Sequence, residues 1–327
     1  MLNYNQLRKR GVIRMKLVNY RLKDTNAYYR IGCFKDGKII DLQESYRQFL
    51  LAEKQFGKIP NINKLLPVEP SAFFSLGEEA IERAKAGIQF VSEKLPNSSL
   101  MFDRDQVVLG PPQPKPGKII CVGRNYVEHA KEMASDVPEY PVLFAKFPNS
   151  LIGPEDQIEK TPLTKKLDYE VELVVIIGIK ARFVKREDAY DYVAGYTIGN
   201  DTTARDLQKR TPQWLQGKSI DKTTPIGPWI VTKDELTDPD QLRVRTYVNG
   251  EKRQASNTEK FIFDIPYLIE FISQLMTLEA GDIILTGTPD GVAAGMDEPK
   301  FLQNGDTVTL EIDGIGKLEN KVRELNE

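Results

Sequence analysis

Short apolar runs separated by turn residues dominate the first third of the chain. Residues 28–34 and 38–42 are two such runs, and they flank Asp36-Gly37, a pair typical of a β-hairpin turn. Residues 75–95 show another period, because apolar side chains recur there every three to four positions. We therefore predict two strands and one amphipathic helix. The apolar side of that helix consists of Ala80, Ile81, Ala84, Ile88 and Val91.

The segment 110–117 interrupts this pattern. Its four prolines and two glycines cannot continue a helix or a central strand, so we place a domain boundary there. Beyond it, strand-like runs dominate, Asn249-Gly250 marks a second hairpin turn, and one helix is predicted near 265–275. The strand-like runs are 118–122, 167–178, 195–201, 229–232, 242–248, 282–286 and 307–312.

These patterns predict an α+β chain that is mostly β, with many antiparallel strands and few helices suited to βαβ crossovers. Regular patterning begins at Met15, so residues 1–14 are interpreted as an extension. Residues 15–112 are predicted to form a small N-terminal α/β domain, and residues 118–327 a larger β domain.

Composition narrows the range of partners. The chain has 327 residues, enough for two cores, and a formal net charge of -2, which provides no general attraction to nucleic acid or anionic membranes. No apolar run has the length of a membrane span, and the basic cluster near the N-terminus is not followed by a signal-peptide core. We expect a small-molecule partner, with neither nucleic acid nor membrane.

The two cysteines and the single histidine narrow the chemistry. Cys33 and Cys121 lie in apolar runs, which is typical of buried, reduced thiols and suits a cytoplasmic location. Any mechanism that needs an imidazole must use His129, and a histidine-rich zinc site is excluded.

An acidic pattern occurs in the apolar run 167–178. Glu170 and Glu172 are two residues apart, with Asp168 just upstream, so a strand would project the two glutamates from one face. Asp201 ends the run 195–201. Taken alone, the pair is more typical of a solvated strand face. If the three carboxylates of Glu170, Glu172 and Asp201 are instead buried together, they require a cation, and a hard divalent metal takes oxygen ligands.

Three further motifs carry candidate chemistry. His129 and Glu132 are three residues apart on a predicted short helix, where a carboxylate can orient an imidazole as a general base; alone, an exposed surface pair is the commoner interpretation. Asn125 and Glu128 resemble a capping box for that helix. Lys218 follows a glycine in a predicted loop, and the turn 286–289 offers hydroxyls and backbone N–H groups to a substrate carboxylate, although a plain tight turn is the simpler interpretation.

Taken in order, these motifs resemble the fumarylacetoacetate hydrolase family over residues 118–318, in its longer bacterial two-domain type. The matching segments are Gly123-Arg124-Asn125-Tyr126 with His129 and Glu132, Phe144-Ala145-Lys146, Asp168-Tyr169-Glu170-Val171-Glu172, Asn200-Asp201, Ala204-Arg205-Asp206-Leu207-Gln208, Gly217-Lys218-Ser219, Gly281-Asp282-Ile283 and Thr286-Gly287-Thr288-Pro289.

The resemblance implies a mixed β-roll, a homodimer, and one Mg²⁺ or Mn²⁺ per subunit held by Glu170, Glu172 and Asp201. It implies catalytic roles for His129 and Glu132, on a segment that can close over the site, and for Lys218. Lys222 stands where some members have a threonine near the metal, and Asp290 adds a negative charge where many members have a small neutral residue. The implied substrate-binding residues are Arg124, Tyr126, Lys146, Arg205, Gln208 and Thr288.

We therefore predict a metal-dependent enzyme that cleaves short 2-oxo dicarboxylic acids through a metal-stabilised enolate. Decarboxylation of an oxaloacetate-type substrate and C–C hydrolysis of an acylpyruvate fit equally. The same site would serve a 2-hydroxydienoate isomerase or decarboxylase of aromatic catabolism, or a sugar-acid dehydratase. An alternative of another class is a non-catalytic dicarboxylate-binding protein. The residues do not rank the enzymatic reactions, but His129 in register with Glu132 favours an enzyme over a binding protein, because binding alone needs no general base.

Overall fold

A computed structural model describes residues 14–96 and 98–326. Residues 1–13 of the predicted extension lie outside that range. The strands are β1 (Lys16–Leu22), β2 (Arg30–Lys35), β3 (Lys38–Asp41), β4 (Met101–Asp103), β5 (Val107–Gly110), β6 (Ile119–Gly123), β7 (Val142–Lys146), β8 (Leu151–Ile152), β9 (Ile158–Lys160), β10 (Leu167–Asp168), β11 (Val171–Ile177), β12 (Val193–Asn200), β13 (Thr203–Ala204), β14 (Thr224–Thr232), β15 (Arg243–Val248), β16 (Glu251–Asn257), β17 (Ile283–Leu285), β18 (Thr307–Ile312) and β19 (Gly316–Glu324).

The α-helices are fewer, and several are a single turn. They are α1 (Leu42–Ala52), α2 (Ile62–Leu65), α3 (Pro70–Ser75), α4 (Glu78–Lys94), α5 (Val127–Glu132), α6 (Arg205–Gln208), α7 (Leu215–Lys218) and α8 (Ile265–Leu275). Short 3₁₀ turns lie between them at Phe56–Asn61, Arg104–Gln106, Pro148–Ser150, Arg186–Tyr192, Pro239–Gln241, Thr258–Lys260 and Ala293–Gly295.

One large mixed sheet organises the molecule. Ten of its strands follow the order β4-β3-β2-β1-β14-β12-β11-β17-β6-β7, with β5 paired to β1 and β8 to β14. Most pairs are antiparallel, whereas β17–β6 and β14–β8 are parallel. A second sheet has the order β16-β15-β18-β19-β9, and β10 pairs with β13. The predicted fold class, α+β and mostly β, is confirmed.

Several local predictions are also confirmed. β2 and β3 form the hairpin around Asp36 and Gly37, both with positive φ, and α8 lies where the period predicted a helix. The helix predicted over 75–95 is α4, which begins at Glu78, directly after Gly77 with its positive φ, and ends at Lys94. Of the predicted apolar side, Ala80, Ala84, Ile88 and Val91 are buried, and Ile81 is partly buried.

The two sides of segment 110–117 share a sheet and a core. β1 pairs with β14 through Lys16 opposite Val231 and Leu17 opposite Ile230. The apolar cluster that contains Leu17 also contains residues of β11 and β17. The proline-rich segment therefore joins strands of one sheet, and the division into two domains stays a prediction.

Cys33 and Cys121 are buried and unbonded to each other, as expected. None of the helices in the described part of the chain is long and apolar enough to cross a membrane.

The register of β11 and β12 brings together residues of the candidate functional site. β11 is buried along its whole length and pairs with β12 on one side and β17 on the other. Val171 lies opposite Asn200, and the Asp201 N–H donates to the Glu170 carbonyl at 2.9 Å. The start of β11, the end of β12 and the turn after β17 therefore meet at one edge of the core.

Asp41 is a buried carboxylate that joins three elements. It accepts hydrogen bonds from the Tyr20 hydroxyl at 2.6 Å, the Arg30 Nε at 2.6 Å and the Glu44 N–H at 2.8 Å. Replacing Asp41 by Ala removes the acceptor for all three donors, so we expect the free energy of unfolding to fall by about 3 kcal/mol in urea denaturation.

A matched control is Glu279→Ala, which removes an exposed ion pair with Lys180. Exposed pairs contribute less than about 1 kcal/mol, so this variant should unfold nearly as wild type does. Equal losses for Asp41→Ala and Glu279→Ala would contradict the role given to Asp41.

Candidate metal centre and active site

Three carboxylates meet at the end of β11. Glu170 precedes that strand, Glu172 is its second residue, and Asp201 follows β12; one oxygen of each lies within 4.8 Å of the others. All three residues are buried, with 4%, 2% and 0% of their surface exposed. The solvated-face interpretation of the glutamate pair is therefore wrong. The convergence of the three residues is as predicted.

Two of these carboxylates are balanced by buried cations. Lys218 Nζ lies 2.7 Å from Glu170 Oε2 and 2.6 Å from Asp201 Oδ2, and Arg205 Nη2 lies 2.6 Å from Glu170 Oε1. Lys146 Nζ lies 2.7 Å from Asp201 Oδ1. Contrary to the loop prediction, Lys218 is the last residue of α7 and is buried, so its contact with the carboxylates is fixed by the fold.

The pKa values follow these contacts. Burial favours a neutral Glu170, but Lys218 and Arg205 outweigh it and lower its pKa to about 2. Burial likewise opposes the charge of Lys218, yet Asp201 and Glu170 raise its pKa to about 12. The pKa of Glu172 shifts in the direction opposite to that of Glu170. Burial, and then the negative charges of Asp201 and Glu170, raise it well above the ordinary value.

Glu172 is the carboxylate that lacks a close cation. It accepts one hydrogen bond, from the Gly287 N–H at 2.7 Å, and within residues 14–96 and 98–326 it takes part in no ion pair. A group of three buried carboxylates, one of them unbalanced, fits a hard divalent cation such as Mg²⁺ or Mn²⁺, which prefers oxygen ligands. The donor set therefore fits a divalent metal held by Glu170, Glu172 and Asp201.

His129 and Glu132 form the predicted pair on α5. His129 Nδ1 lies 3.3 Å from Glu132 Oε2, and Glu132 Oε1 accepts a hydrogen bond from the Gly291 N–H at 2.9 Å. An ionised Glu132 keeps the proton on Nδ1, which leaves Nε2 as the basic nitrogen. His129 is buried and lines the same pocket as the carboxylates.

The capping box predicted for α5 does not form. Tyr126 is the N-terminal capping position, and among the residues that the structure describes no side chain caps the helix. Asn125 Nδ2 instead donates to the carbonyls of Phe263 at 3.0 Å and Thr286 at 2.7 Å, and its Oδ1 accepts from the Phe263 N–H. Asn125 thus ties the start of α5 to the turn after β17, a contact between distant residues that spacing alone does not indicate.

A pocket of ≈ 280 Å³ opens above the three carboxylates. Among the predicted substrate-binding residues, four line it: Arg124, Arg205, Gln208 and Thr288. Tyr126 and Lys146 are buried outside the lining, where Tyr126 packs on Phe261 and Lys146 contacts Asp201. The structure therefore gives these two residues contacts other than the predicted ones with substrate.

The outer wall of the pocket contains residues that sequence reasoning did not assign. Arg124 has a positive φ and its guanidinium lies 5.8 Å from the ring centroid of Trp214. Trp214 also packs edge-on against Phe144, whose ring lies 5.0 Å from Lys218 Nζ. Met133, Lys209, Thr211 and Pro212 also line the pocket. Trp214 stands three residues before Gly217, and only its closeness to that motif could have indicated a role.

The two departures from the family pattern both lie away from the pocket. Lys222 is exposed and pairs with Glu159 at 3.0 Å, and Asp290 is exposed. Neither side chain lines the pocket, so neither alters its charge at close range.

Asp168 is not one of the three candidate metal ligands. Its carboxylate instead binds an arginine side chain and two backbone N–H groups. Its Oδ2 accepts from Arg205 Nε at 2.8 Å, and its two oxygens accept from the N–H groups of Ala293 and Ala294. Arg205 is thus held between Asp168 and Glu170, with its guanidinium at the pocket wall.

The fold is a mixed β-sheet, and its pocket combines three buried carboxylates with a histidine–glutamate pair. Comparison with known proteins identifies the family. The family model "Fumarylacetoacetate (FAA) hydrolase C-terminal" matches residues 118–323. Because the match covers more than half of the chain, this protein belongs to the fumarylacetoacetate hydrolase family, as its motifs predicted.

Two relatives cover most of the chain. Oxaloacetate tautomerase YisK of Bacillus subtilis (strain 168) is 45% identical over 294 residues, which are 88% of this chain and 93% of that protein. The mitochondrial oxaloacetate tautomerase Fahd2a of Rattus norvegicus is 42% identical over 270 residues, covering 81% of this chain and 84% of that protein. The similarity therefore extends well beyond the matched family region.

Solved structures share the fold over nearly the whole chain. Fumarylacetoacetate hydrolase from Exiguobacterium antarcticum is 36% identical with a TM-score of 0.72, covering 95% of this chain and 100% of that one. Maleylpyruvate hydrolase from Sphingobium sp. SYK-6, in complex with manganese(II) and pyruvate, is 27% identical with a TM-score of 0.68 and the same coverage. These matches support the expected mixed β-sheet fold of the family.

Metal binding should depend on pH through Glu172. Its raised pKa means that the proton is retained to higher pH, and a metal ion must displace that proton to bind the carboxylate. We expect Mn²⁺ affinity to rise with pH, by up to about tenfold per unit while Glu172 is protonated. Isothermal titration calorimetry in buffers of different ionisation enthalpy should also detect proton release.

The test variant is Glu172→Gln, which should lower Mn²⁺ affinity by roughly tenfold or more. Its matched control is Glu128→Gln. Glu128 is exposed and pairs only with Lys131 among the described residues, so its variant should bind as wild type does. Affinity independent of pH, or unchanged in Glu172→Gln, would contradict the metal site.

Proposed function

We propose that this protein is a divalent-metal-dependent enzyme that transfers a proton at C3 of short 2-oxo dicarboxylic acids, with enol–keto tautomerisation of oxaloacetate as its main reaction. The observation that carries the proposal is the position of His129, which lines the pocket beside the carboxylate triad while its Nδ1 faces Glu132. The oxaloacetate tautomerases among the relatives support the choice of substrate.

The pocket offers different cations to the two ends of a dicarboxylate. Lys218 and Arg205 lie at the inner end, where both contact Glu170. Arg124 lies at the outer wall, and within the described ranges its guanidinium has no carboxylate partner. A guanidinium without a partner can bind a carboxylate through two parallel hydrogen bonds. The inner end would hold the 2-oxo acid group, and Arg124 the distal carboxylate.

The histidine–glutamate pair would move the proton. Glu132 holds the Nδ1 proton of His129, so Nε2 is free to take a proton from substrate and return it at C3. Because a single group serves both directions, the pair fits reversible enol–keto exchange. The ion held by Glu170, Glu172 and Asp201, Mg²⁺ or Mn²⁺, would polarise the 2-oxo group and make the C3 protons more acidic.

Cleavage next to C3 is the second candidate reaction. It is favoured by the structural match to maleylpyruvate hydrolase, a hydrolase whose solved complex contains manganese and pyruvate. In hydrolysis, His129 would activate a water molecule, whereas decarboxylation of oxaloacetate would need no nucleophile. The predicted homodimer and cytoplasmic location stay predictions beside this proposal.

A panel of 2-oxo acids tests the reaction. Enol-oxaloacetate, keto-oxaloacetate and acetylpyruvate are supplied with Mn²⁺ or with EDTA, and tautomer absorbance, CO₂ and pyruvate are followed. We expect Mn²⁺-dependent tautomerisation to be fastest, and His129→Ala to lower its kcat by about 10²–10⁴-fold because the general base is lost.

Lys131→Ala is the matched control, since Lys131 is exposed on the same helix and pairs only with Glu128 among the described residues. Its kcat should equal that of wild type. Binding of oxaloacetate without any turnover would favour the non-catalytic alternative, and faster release of pyruvate from acetylpyruvate would favour hydrolysis.

Arg124 should select for a second carboxylate. Arg124→Gln removes a charged pair worth about 1.5–3 kcal/mol, so KM for oxaloacetate should rise by roughly tenfold to a hundredfold. KM for acetylpyruvate, which lacks the distal carboxylate, should change by less than about threefold. Arg124→Lys keeps the charge and should give an intermediate KM; equal increases for both substrates would contradict this role.

A further inference from the structure

The backbone of residues 291–295 lies directly against Glu132. The Gly291 N–H donates to Glu132 Oε1 at 2.9 Å, and the Ala293–Gly295 segment forms one 3₁₀ turn. A Cβ atom added to Gly295 would lie 2.2 Å from Cγ and Cδ of Glu132. The carboxylate of Glu132 therefore occupies the space that any side chain at position 295 would need.

This turn is fixed from its other side by Asp168. The Asp168 side chain is fully buried, and its oxygens accept from the Ala293 N–H at 2.9 Å and the Ala294 N–H at 3.0 Å. The same carboxylate accepts from Arg205 Nε at 2.8 Å. One side chain thus holds both the turn beneath Glu132 and the arginine beside Glu170.

We infer that Gly295 and Asp168 are positioning residues for the histidine–glutamate pair. The turn 291–295 sets the Glu132 carboxylate against His129 Nδ1, and Asp168 fixes that turn relative to Arg205 and the carboxylate triad. Neither Gly295 nor Asp168 lines the pocket, so both act through other groups. Their effect on catalysis rests on the proposed function, in which His129 moves the proton.

The geometry also indicates which group would move if residue 295 carried a side chain. Asp168 anchors the turn through two backbone hydrogen bonds, whereas Glu132 is a flexible side chain. With Gly295→Ala, the least costly response is for the Glu132 carboxylate to leave its place. The φ of Gly295 lies outside the left-handed region, so alanine changes the space available and not the backbone strain.

The single histidine makes this displacement directly measurable without substrate. In protein labelled with nitrogen-15 histidine, the two imidazole signals belong to His129, since the chain contains one histidine. We expect Gly295→Ala to shift the Nδ1 signal in the same direction as Glu132→Ala does. Gly57→Ala is the control, because a Cβ there meets no atom of the described residues within 4 Å, and it should leave the spectrum unchanged.

Activity provides the second measurement. Gly295→Ala should lower kcat for oxaloacetate by at least about tenfold while KM changes by less than about twofold, since substrate contacts remain. In the Glu132→Ala background, adding Gly295→Ala should change kcat by less than about twofold, because the displaced group is absent. Asp168→Asn should lower kcat and also raise KM, since it disturbs Arg205 as well.

The outcomes separate the inference from the proposed function. An unchanged His129 spectrum in Gly295→Ala, or full multiplication of the two losses in the double variant, would overturn the positioning role. A shifted spectrum in a protein whose wild type turns over no 2-oxo acid would support the positioning role and reject the proposed reaction. A shifted spectrum with coupled losses in kcat supports both.

Discussion

The charge balance of one buried cluster governs this structure. β11 and β12 bring Glu170, Glu172 and Asp201 together away from water, where like charges repel strongly. The cations of Lys146, Lys218 and Arg205 contact Glu170 or Asp201, so the remaining imbalance concentrates on Glu172. A proton or a divalent ion can each correct that imbalance, which explains why the same residue has a raised pKa and serves as a candidate metal ligand.

The cations that balance the cluster also shape the pocket. Lys218 and Arg205 each contact Glu170 and line the cavity, so the fold holds them in place before any substrate arrives. Arg124 differs, because it is placed by a positive φ and an aromatic neighbour instead of a carboxylate. The cations beside Glu170 are therefore balanced by carboxylates, whereas the Arg124 guanidinium has no carboxylate partner among residues 14–96 and 98–326.

The sequence by itself determined the features that depend on short-range geometry. Strand period placed Glu170 and Glu172 on one side, and helix period placed Glu132 beside His129, because both periods are fixed by the backbone. Turn chemistry gave the hairpin at Asp36-Gly37, and apolar spacing gave α8. Asp201 was indicated as a third carboxylate by its place at the end of the run 195–201, and the order of the motifs then indicated the family.

Only the tertiary structure decided how distant segments meet. The same strand period is compatible with a solvated face, and burial of Glu170 was settled by the packing of β11 between β12 and β17. Asn125, predicted as a cap, binds residues about 140 to 160 positions away, and Asp168 binds the turn that supports Glu132. Segment 110–117 joins strands of one sheet because β1 pairs with β14 across it. Such contacts depend on how the chain returns to itself, and no local spacing encodes that path.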